Sequence, residues 1–195
     1  MYVIRNVFAL IGVVAVVLLI TMGIRYADYL RAAGSLDPKA GDVYLEMAQT
    51  LLRTGDAASA TVWKVAVQDG LSVDEVEQTM RAVANEHNFK NVGELPLSKE
   101  VEAMTGKPFP YLKIFMFCNP LTAAKMVRYS IATSAYLPCR IILMEDGEGK
   151  LWLISLNLDM MIYGGKPLSP ELKEDAMEVR RVILEIMERG AAGEF

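Results

Sequence analysis

The sequence of 195 residues is poor in the side chains on which most metal sites and many catalytic centres depend. It contains one histidine, His87, and two cysteines, Cys118 and Cys139. A single histidine excludes a zinc centre with several histidine ligands and the H-E-x-x-H motif of metalloproteases. The motif C-x-x-C-H is also absent, which excludes covalent attachment of c-type haem. Because no complete catalytic signature is present, we expect a non-catalytic protein rather than an enzyme.

The chain also lacks an excess of positive charge. It contains 20 Lys and Arg residues and 24 Asp and Glu residues, which gives a formal net charge of −4. Proteins that bind nucleic acids neutralise phosphates with clustered basic side chains, so we expect no nucleic-acid partner. The hydrophobic share of 53% is too high for a disordered chain and high for a small soluble protein. This composition indicates that part of the chain is embedded in a membrane.

The hydrophobic excess is concentrated between Val7 and Ile24, where the sequence VFALIGVVAVVLLITMGI contains no charge. As a helix with a rise of about 1.5 Å per residue, this segment is roughly 27 Å long, close to the thickness of the hydrocarbon core of a bilayer. Arg5 before it, and Arg25 with Tyr26 after it, are typical of residues that anchor a helix at the interface. No small-residue cleavage site follows directly, as a signal peptide would require. The pattern predicts an uncleaved transmembrane anchor within residues 1–31, in the inner membrane of a bacterium.

The sequence gives two opposing indications of the side of the membrane on which the domain lies. More basic residues follow the apolar segment than precede it, which by the positive-inside rule keeps the domain in the cytoplasm. A short basic lead is also typical of a signal-anchor that exports the domain to the periplasm, and we favour this second interpretation. After residue 31 the chain has 17 basic and 23 acidic residues. We do not expect so acidic a domain to lie flat on anionic lipid.

Residues 32–57 are predicted to form a linker and a spacer helix, which alternatively packs against the domain. Asp37 and Pro38 are a typical helix start, with the carboxylate as N-cap and the proline at the first helical position. Gly55 is a typical stop. The apolar residues expected to share one face of this helix are Tyr44, Met47, Ala48 and Leu51.

Residues 58–190 contain regular signals for alternating strands and helices. Ser72 and Glu75 form a capping box that opens a helix, and YLKIFMFC at 111–118 is typical of a strand. The turn DGEG at 146–149 joins two strands into a hairpin. The order β-α-β-α-β-α-β-β-α predicts an α+β domain, with helices packed on a mainly antiparallel sheet. Its last helix is expected to end at Gly190, leaving 191–195 as a disordered tail.

Several of these segments carry a resemblance to a known family. FMFCNP at 115–120, LPCRI at 137–141 and the hairpin DGEGKLWLISLN are similar to motifs of the bacterial domain-of-unknown-function family 302. The likeness covers about residues 58–190 and leaves out the anchor and the spacer helix. It implies a compact α+β fold, a tendency to form homodimers and no settled biochemical activity. It supplies no catalytic residues to carry over.

Cys118 is the candidate nucleophile of the chain. It lies at the end of a predicted strand, just before Asn119, which is the expected cap of the next helix. The positive end of a helix dipole lowers a thiol pKa and favours the thiolate, which is the basis of a redox or sulfur-transfer function. The simpler interpretation is that Cys118 and Cys139 are small buried hydrophobic residues.

Whether the two cysteines meet depends on the direction of their strands. Parallel strands would separate them by about 20 Å, far beyond the roughly 7 Å between Cα atoms that a disulfide allows. Antiparallel strands would place both at the same end of the sheet, where they could bond or share a metal. Arg140, beside Cys139, is a candidate for attracting an anionic ligand to that end.

His87 falls on the apolar stripe of its helix, in the last turn, where a capping or packing role is the simpler interpretation. The alternative is a soft-ligand site that combines His87 with a cysteine or a methionine and binds copper or non-covalent haem. The chain has 12 methionines, but they form no repeated M-x-x-M cluster, and filling of the core explains them better. The sequence itself requires no cofactor.

The leading hypothesis is a membrane-anchored, non-catalytic α+β module that binds a small ligand or a partner protein, including a protein of the same membrane. Its candidate ligand-binding residues are Cys118, Asn119, Cys139 and Arg140. One alternative is a thiol-based redox or sulfur-transfer protein that uses Cys118. The other is a soft-metal or haem protein that uses His87.

Overall fold

A computed structural model describes residues 2–195, without the side chains of residues 3 and 30. The chain divides into two compact units, Met1–Asp37 and Pro38–Phe195. The first unit consists mainly of helix α1 (Tyr2–Ala33). Within α1, Ile4–Tyr29 is long and apolar enough to cross a membrane, and none of its most apolar stretch is buried against protein. By length and composition this helix is a candidate anchor.

The second unit, Pro38–Phe195, is described throughout and combines six helices with one sheet. The helices are α2 (Ala40–Thr54), α3 (Val73–Glu86), α4 (Leu97–Thr105), α5 (Pro120–Tyr129), α6 (Asp159–Tyr163) and α7 (Pro170–Ala192). The strands are β1 (Val62–Ala66), β2 (Lys90–Leu95), β3 (Leu112–Cys118), β4 (Cys139–Glu145) and β5 (Leu151–Leu156). Two short 3-10 turns, Ser59–Thr61 and Ile131–Tyr136, precede β1 and β4.

The five strands form one sheet in the order β1-β5-β4-β3-β2, and every neighbouring pair is antiparallel. This confirms the predicted α+β fold with helices packed on an antiparallel sheet. Because side chains alternate along a strand, the register divides the sheet into two faces. The inner face, covered by helices, carries the fully buried side chains Phe115, Phe117, Ile141, Leu143 and Leu153.

The opposite, outer face of the sheet is only half-buried. Its apolar side chains are Ile114, Met116, Ile142, Met144, Trp152 and Ile154. Gly93 on β2 leaves the space in which Met116 lies, because a Cβ at this glycine would come within 2.8 Å of the Met116 terminal methyl group. Lys64 lies over the Trp152 ring at 3.7 Å from its centre, a cation–π contact.

The core lies between the inner face and helices α3 and α7. Both helices present apolar residues at helical spacing, for example Val76, Met80 and Val83 on α3. The capping box predicted at Ser72 and Glu75 is present and begins α3. The core residues of α7 are Val179, Val182, Ile183, Ile186 and Met187.

The C terminus differs from the prediction. Helix α7 passes through Gly190 and ends at Ala192, with Gly193 in the left-handed conformation as its cap. Ala191 is buried and its carbonyl accepts a hydrogen bond from the Gln68 amide. Gly190 lies inside the helix and does not end it. A glycine is present there because the core has no room for a side chain: a Cβ would come within 2.8 Å of Met80 Cγ and 3.3 Å of Leu153 Cδ1.

Two further local predictions need correction. Helix α2 begins at Ala40, with Lys39 in the cap position and no side-chain cap, so Asp37 is not its N-cap. Helix α6 lies in a segment for which no helix was predicted, since five residues are too few to show an amphipathic period.

Replacement of Gly190 by alanine tests this close contact. The new methyl group must displace Met80 or Leu153, and overpacking outweighs the helix propensity gained, so we expect Gly190→Ala to lower the free energy of unfolding by about 1 kcal/mol. Urea unfolding of residues 38–195, followed by circular dichroism, measures the change. The matched control is Gly41→Ala in α2, where no atom lies within 4 Å of the new Cβ and no loss is expected. Equal effects at the two positions would contradict the packing described.

Candidate functional site

A partly enclosed cavity lies between α2 and the β1 edge of the sheet. This α2 cavity has a volume of about 280 Å³. Helix α2 contributes one wall, and the start of β1, the end of β5 and the beginning of α6 contribute the others. The residues that line it are Val43, Glu46, Met47, Thr50, Ser59, Ala60, Thr61, Val62, Trp63, Tyr136, Leu156, Asn157, Met160 and Met161.

Helix α2 is held against the rest of the unit at its N-terminal end. The Tyr44 hydroxyl donates a hydrogen bond of 2.7 Å to the Gly164 carbonyl. Ala40 is buried, and the Lys39 ammonium lies 5.0 Å from the centre of the Tyr163 ring. Of the two roles considered for this helix from the sequence, spacer or packing element, these contacts agree with the packing element. The side that faces the cavity carries Val43, Met47 and Thr50, at a spacing of four and three residues.

The lining of the α2 cavity fits a small, largely apolar molecule. Trp63 and Tyr136 supply aromatic surface, and three methionines supply flexible thioether chains that adapt to the shape of a ligand. Thr50, Ser59, Thr61 and Asn157 add a few neutral hydrogen-bonding groups, and the exposed Glu46 adds one carboxylate. A mainly apolar wall with a small number of polar groups is typical of small-molecule sites. The volume lies near the lower end of their usual range of roughly 300–1,000 Å³.

A wider depression of about 940 Å³ follows the outer surface of α7. It is open to solvent and lined mainly by charged side chains, several of which form ion pairs, such as Arg181 with Glu178 and Glu185. It therefore encloses no apolar ligand.

The two cysteines lie at the same end of the sheet, and both are free thiols. Strands β3 and β4 are antiparallel with Phe117 opposite Cys139, so Cys118 is one residue beyond the partner of Cys139. Of the two topologies considered from the sequence, the antiparallel one is correct. Cys118, Asn119 and Cys139 line a gap of about 30 Å³ between the sheet, α5 and α7. This is space for about one water molecule, not for a ligand.

The surroundings of Cys118 favour the simpler of its two interpretations, that of a buried thiol, over that of a thiolate. Burial raises the pKa of the Cys118 thiol, and burial together with the nearby Cys118 raises the pKa of Cys139 to about 11. Asn119 is the cap of α5 as predicted, and its side-chain oxygen accepts hydrogen bonds from the amides of Leu121 and Thr122. These N–H groups are therefore satisfied by Asn119, and desolvation decides the protonation of the thiol.

Arg140 does not join the cysteines. It is exposed on the outer face, whereas Cys139 and Ile141, its neighbours in β4, are buried on the inner face. Alternation along the strand separates the guanidinium from the thiol beside it in the sequence. Of the four candidate ligand-binding residues, three are therefore brought together and one is not.

His87 caps the C-terminal end of α3 and contacts α7. Its Nε2 lies 3.0 Å from Glu185 Oε1, within ion-pair distance, although the two atoms do not form an aligned hydrogen bond. Glu86 completes a group whose potential ligand atoms lie within 4.8 Å of one another. Arg189 binds both carboxylates, at 2.8 Å from Glu86 and 3.1 Å from Glu185. The arrangement links α3 to α7, and its oxygen donors do not favour copper(I).

A second charged group connects α3 to the sheet. Glu77 and Arg81 of α3 meet Glu94 of β2 and Lys113 of β3, and the Tyr111 hydroxyl donates a hydrogen bond to Glu77. Hydrogen bonds from the Arg81 guanidinium, assisted by Lys113 and Asn91, outweigh burial and lower the pKa of Glu94 to about 2. Each ionised group has a partner of opposite charge. This network stabilises the fold and leaves no free acid or base for catalysis.

The fold and its cavity define a two-layer α+β protein with one sheet face covered by helices and the other half-open. The family model Domain of unknown function DUF302 matches residues 63–190, about two thirds of the chain. The chain therefore belongs to the DUF302 family. Comparison with curated proteins gives no match.

One solved structure similar to this chain is the crystal structure of the uncharacterized conserved protein DUF302 from Bacillus stearothermophilus. The TM-score is 0.53 at 18% sequence identity, and the similarity covers 66% of this chain and 97% of that one. At this identity the likeness supports the fold. Helix α2 lies before residue 63, so the family match does not include one wall of the α2 cavity.

The raised thiol pKa values predict slow chemical modification. At pH 7 we expect the two cysteines of the folded protein to react with iodoacetamide at least about tenfold more slowly than free cysteine, because the thiolate is the reactive form. Mass spectrometry over time measures the modification, and the same protein unfolded in guanidinium chloride is the control. Rapid modification of Cys118 at pH 6 would show instead that its pKa is lowered.

The low pKa of Glu94 predicts a loss of stability in acid. An unfolded glutamate has a pKa of 4.5, so the stabilisation from this carboxylate is complete above that pH and is lost as the pH falls towards 2. We expect Glu94→Gln to lower the free energy of unfolding at pH 7 by about 2 kcal/mol and to weaken its dependence on pH between 5 and about 2. Urea unfolding of residues 38–195 at several pH values measures both changes. Exposed Glu100→Gln on α4 is the control, and the same loss there would contradict a special role for Glu94.

Proposed function

We propose that this protein is a membrane-anchored, non-catalytic module that binds a small, largely apolar ligand in the α2 cavity. The observation that carries the proposal is the cavity itself, with its apolar and aromatic walls, few polar groups and half-enclosed shape. Helix α2 shields the cavity from solvent and is fixed by the hydrogen bond from Tyr44 to Gly164. A pocket closed by a packed helix is pre-organised, which reduces the entropy lost on binding.

Helix α1 supports the proposal of a membrane anchor. Its apolar segment is long enough to span a bilayer, and tethering the ligand-binding unit there raises its effective concentration for other proteins of the same membrane. A short basic lead before the apolar segment favours export of the unit to the bacterial periplasm. Fusion of a reporter enzyme that is active only outside the cytoplasm to the C terminus tests this orientation.

The two alternative functions are less well supported. A redox or sulfur-transfer reaction at Cys118 requires a thiolate, and burial favours the protonated thiol. A soft-metal or haem site at His87 requires thiol or thioether partners, and the side chains nearest to its Nε2 are carboxylates already bound by arginine.

Trp63 provides an intrinsic probe of the α2 cavity. Trp152, the other tryptophan, lies on the outer face, so Trp152→Phe leaves Trp63 as the only source of indole fluorescence. We expect small apolar probes with one hydrogen-bonding group, such as indole derivatives without overlapping emission or short-chain alcohols and ketones, to shift this fluorescence in a saturable manner. Titration of residues 38–195 carrying Trp152→Phe measures the affinity.

A matched pair of variants locates the binding. Thr50→Phe places an aromatic ring in the cavity, and we expect it to weaken binding at least about tenfold by occupying the ligand's volume. Gln49→Phe adds the same ring on the adjacent exposed position of α2 and is expected to leave the affinity unchanged. Equal binding by both variants, or an unchanged Trp63 signal with every probe, would contradict the proposal.

A further inference from the structure

Helix α2 has three distinct sides, and the cavity accounts for only one of them. At about 100° per residue, Val43, Met47 and Thr50 form the side that faces the cavity. Asp42, Glu46, Gln49 and Arg53 form a polar side, of which Glu46 also lines the cavity. The third side, here called the leucine stripe, consists of Leu45, Ala48, Leu51 and Leu52. Tyr44, next to the stripe, is hydrogen-bonded to Gly164 and is not counted in it.

The leucine stripe is exposed along its whole length. Leu45 is 57% exposed and Leu52 is 86% exposed, although both are among the most apolar side chains of the chain. The four positions span about 120° of the helix circumference, which is the width of a face that helices normally bury. No charged residue lies within the stripe. A continuous apolar strip of this kind marks a contact surface rather than scattered exposure.

The position of α2 in the chain indicates what covers the stripe. Helix α1 ends at Ala33 and α2 begins at Ala40, so six residues connect them. The candidate span ends at Tyr29, so α2 follows it in the chain after ten residues, of which the last six lie outside α1. A helix tied this closely to a transmembrane segment has the bilayer interface within reach.

The charge of α2 is consistent with such a position. Within Ala40–Thr54, the charged residues Asp42, Glu46 and Arg53 all lie on the polar side. An interfacial helix buries its apolar side at the boundary of headgroups and acyl chains and keeps its polar side in water. The contact would depend on apolar area, so the net negative charge of the unit does not prevent it on a zwitterionic surface.

We propose that α2 lies in the membrane interface with its leucine stripe in contact with lipid. The proposal rests on the proposed function of α1 as a membrane anchor. Since the opposite side of the same helix forms one wall of the α2 cavity, the bilayer would hold this wall from behind. The cavity would then open next to the membrane, where apolar molecules partition from water.

Spin labelling of the full chain in phosphatidylcholine vesicles tests this contact. Cys118 and Cys139 are replaced by alanine, and single cysteines are introduced at Leu52, at Gln49 and at Leu18 within α1. Each nitroxide is then exposed to oxygen, which concentrates in lipid, and to a nickel chelate, which stays in water. We expect the ratio of oxygen to nickel accessibility to be several-fold higher at positions 52 and 18 than at position 49.

The three positions separate the possible failures. A lipid signal at 18 with a water signal at 52 would overturn the interfacial contact and leave the anchor intact. A water signal at 18 would overturn the anchor, and with it the inference. Shielding of position 52 from both reagents would show that protein covers the stripe, which also overturns the contact with lipid.

A second measurement does not depend on the alanine background. Leu52→Trp in the chain with native cysteines should lose fluorescence in vesicles of dibrominated phosphatidylcholine, compared with the parent chain. Gln49→Trp is the matched control on the polar side. Equal quenching of the two variants would contradict the proposed orientation of α2.

Discussion

The close packing of α7 against the sheet is the constraint on which the rest of the second unit depends. At Gly190 the helix comes so near to Met80 and Leu153 that not even a methyl group fits without displacement. The same helix also contacts three other helices through charged side chains. Lys125 of α5 pairs with Asp175, Asp159 of α6 with Arg180, and Glu86 of α3 with Arg189. These ion pairs help to fix α3, α5 and α6 relative to α7. Helix α6 in turn supplies part of the wall of the α2 cavity.

Much of the fold could be predicted because its signals are local. The capping box at Ser72, the Asn119 cap with Pro120, and the turn at 146–149 each act within a few residues, and all are present in the structure. The aromatic and branched residues of 111–118 predict strand β3 for the same reason, but this almost wholly apolar run does not show which face of the strand is buried. Local chemistry does not specify where Gly190 lies relative to the core, and for this reason the end of α7 was misplaced.

Most of the candidate site could not be predicted from the sequence, because the residues that line it are far apart in the chain. Met47 and Trp63 lie in different elements, and Met160 follows almost a hundred residues later. The only signal was the spacing of Val43, Met47 and Thr50, which is that of a buried helix face. The competing stripe through Tyr44 and Leu51 is equally apolar, and a single chain does not show which apolar side meets protein.

The thiols illustrate a competition between two physical effects. A helix N-terminus lowers a nearby pKa when its amides face the thiol, whereas removal from water raises it. At Cys118 the Asn119 oxygen accepts hydrogen bonds from these amides, and burial decides the competition by raising the pKa of the thiol. The helix cap that made the site attractive in the sequence is present, but removal of the thiol from water outweighs it.

Part of the wall of the α2 cavity lies inside the family match, and the part formed by α2 lies outside it. The core between α3, α7 and the sheet is complete without the side chains of Met47 and Thr50. Substitutions on the cavity side of α2 can therefore alter the shape of the cavity while the packing of the core between α3, α7 and the sheet is left unchanged. The shape of the cavity can thus diverge between related chains without surplus stability being accumulated first, because the helix that shapes it is separate from the core that holds the fold.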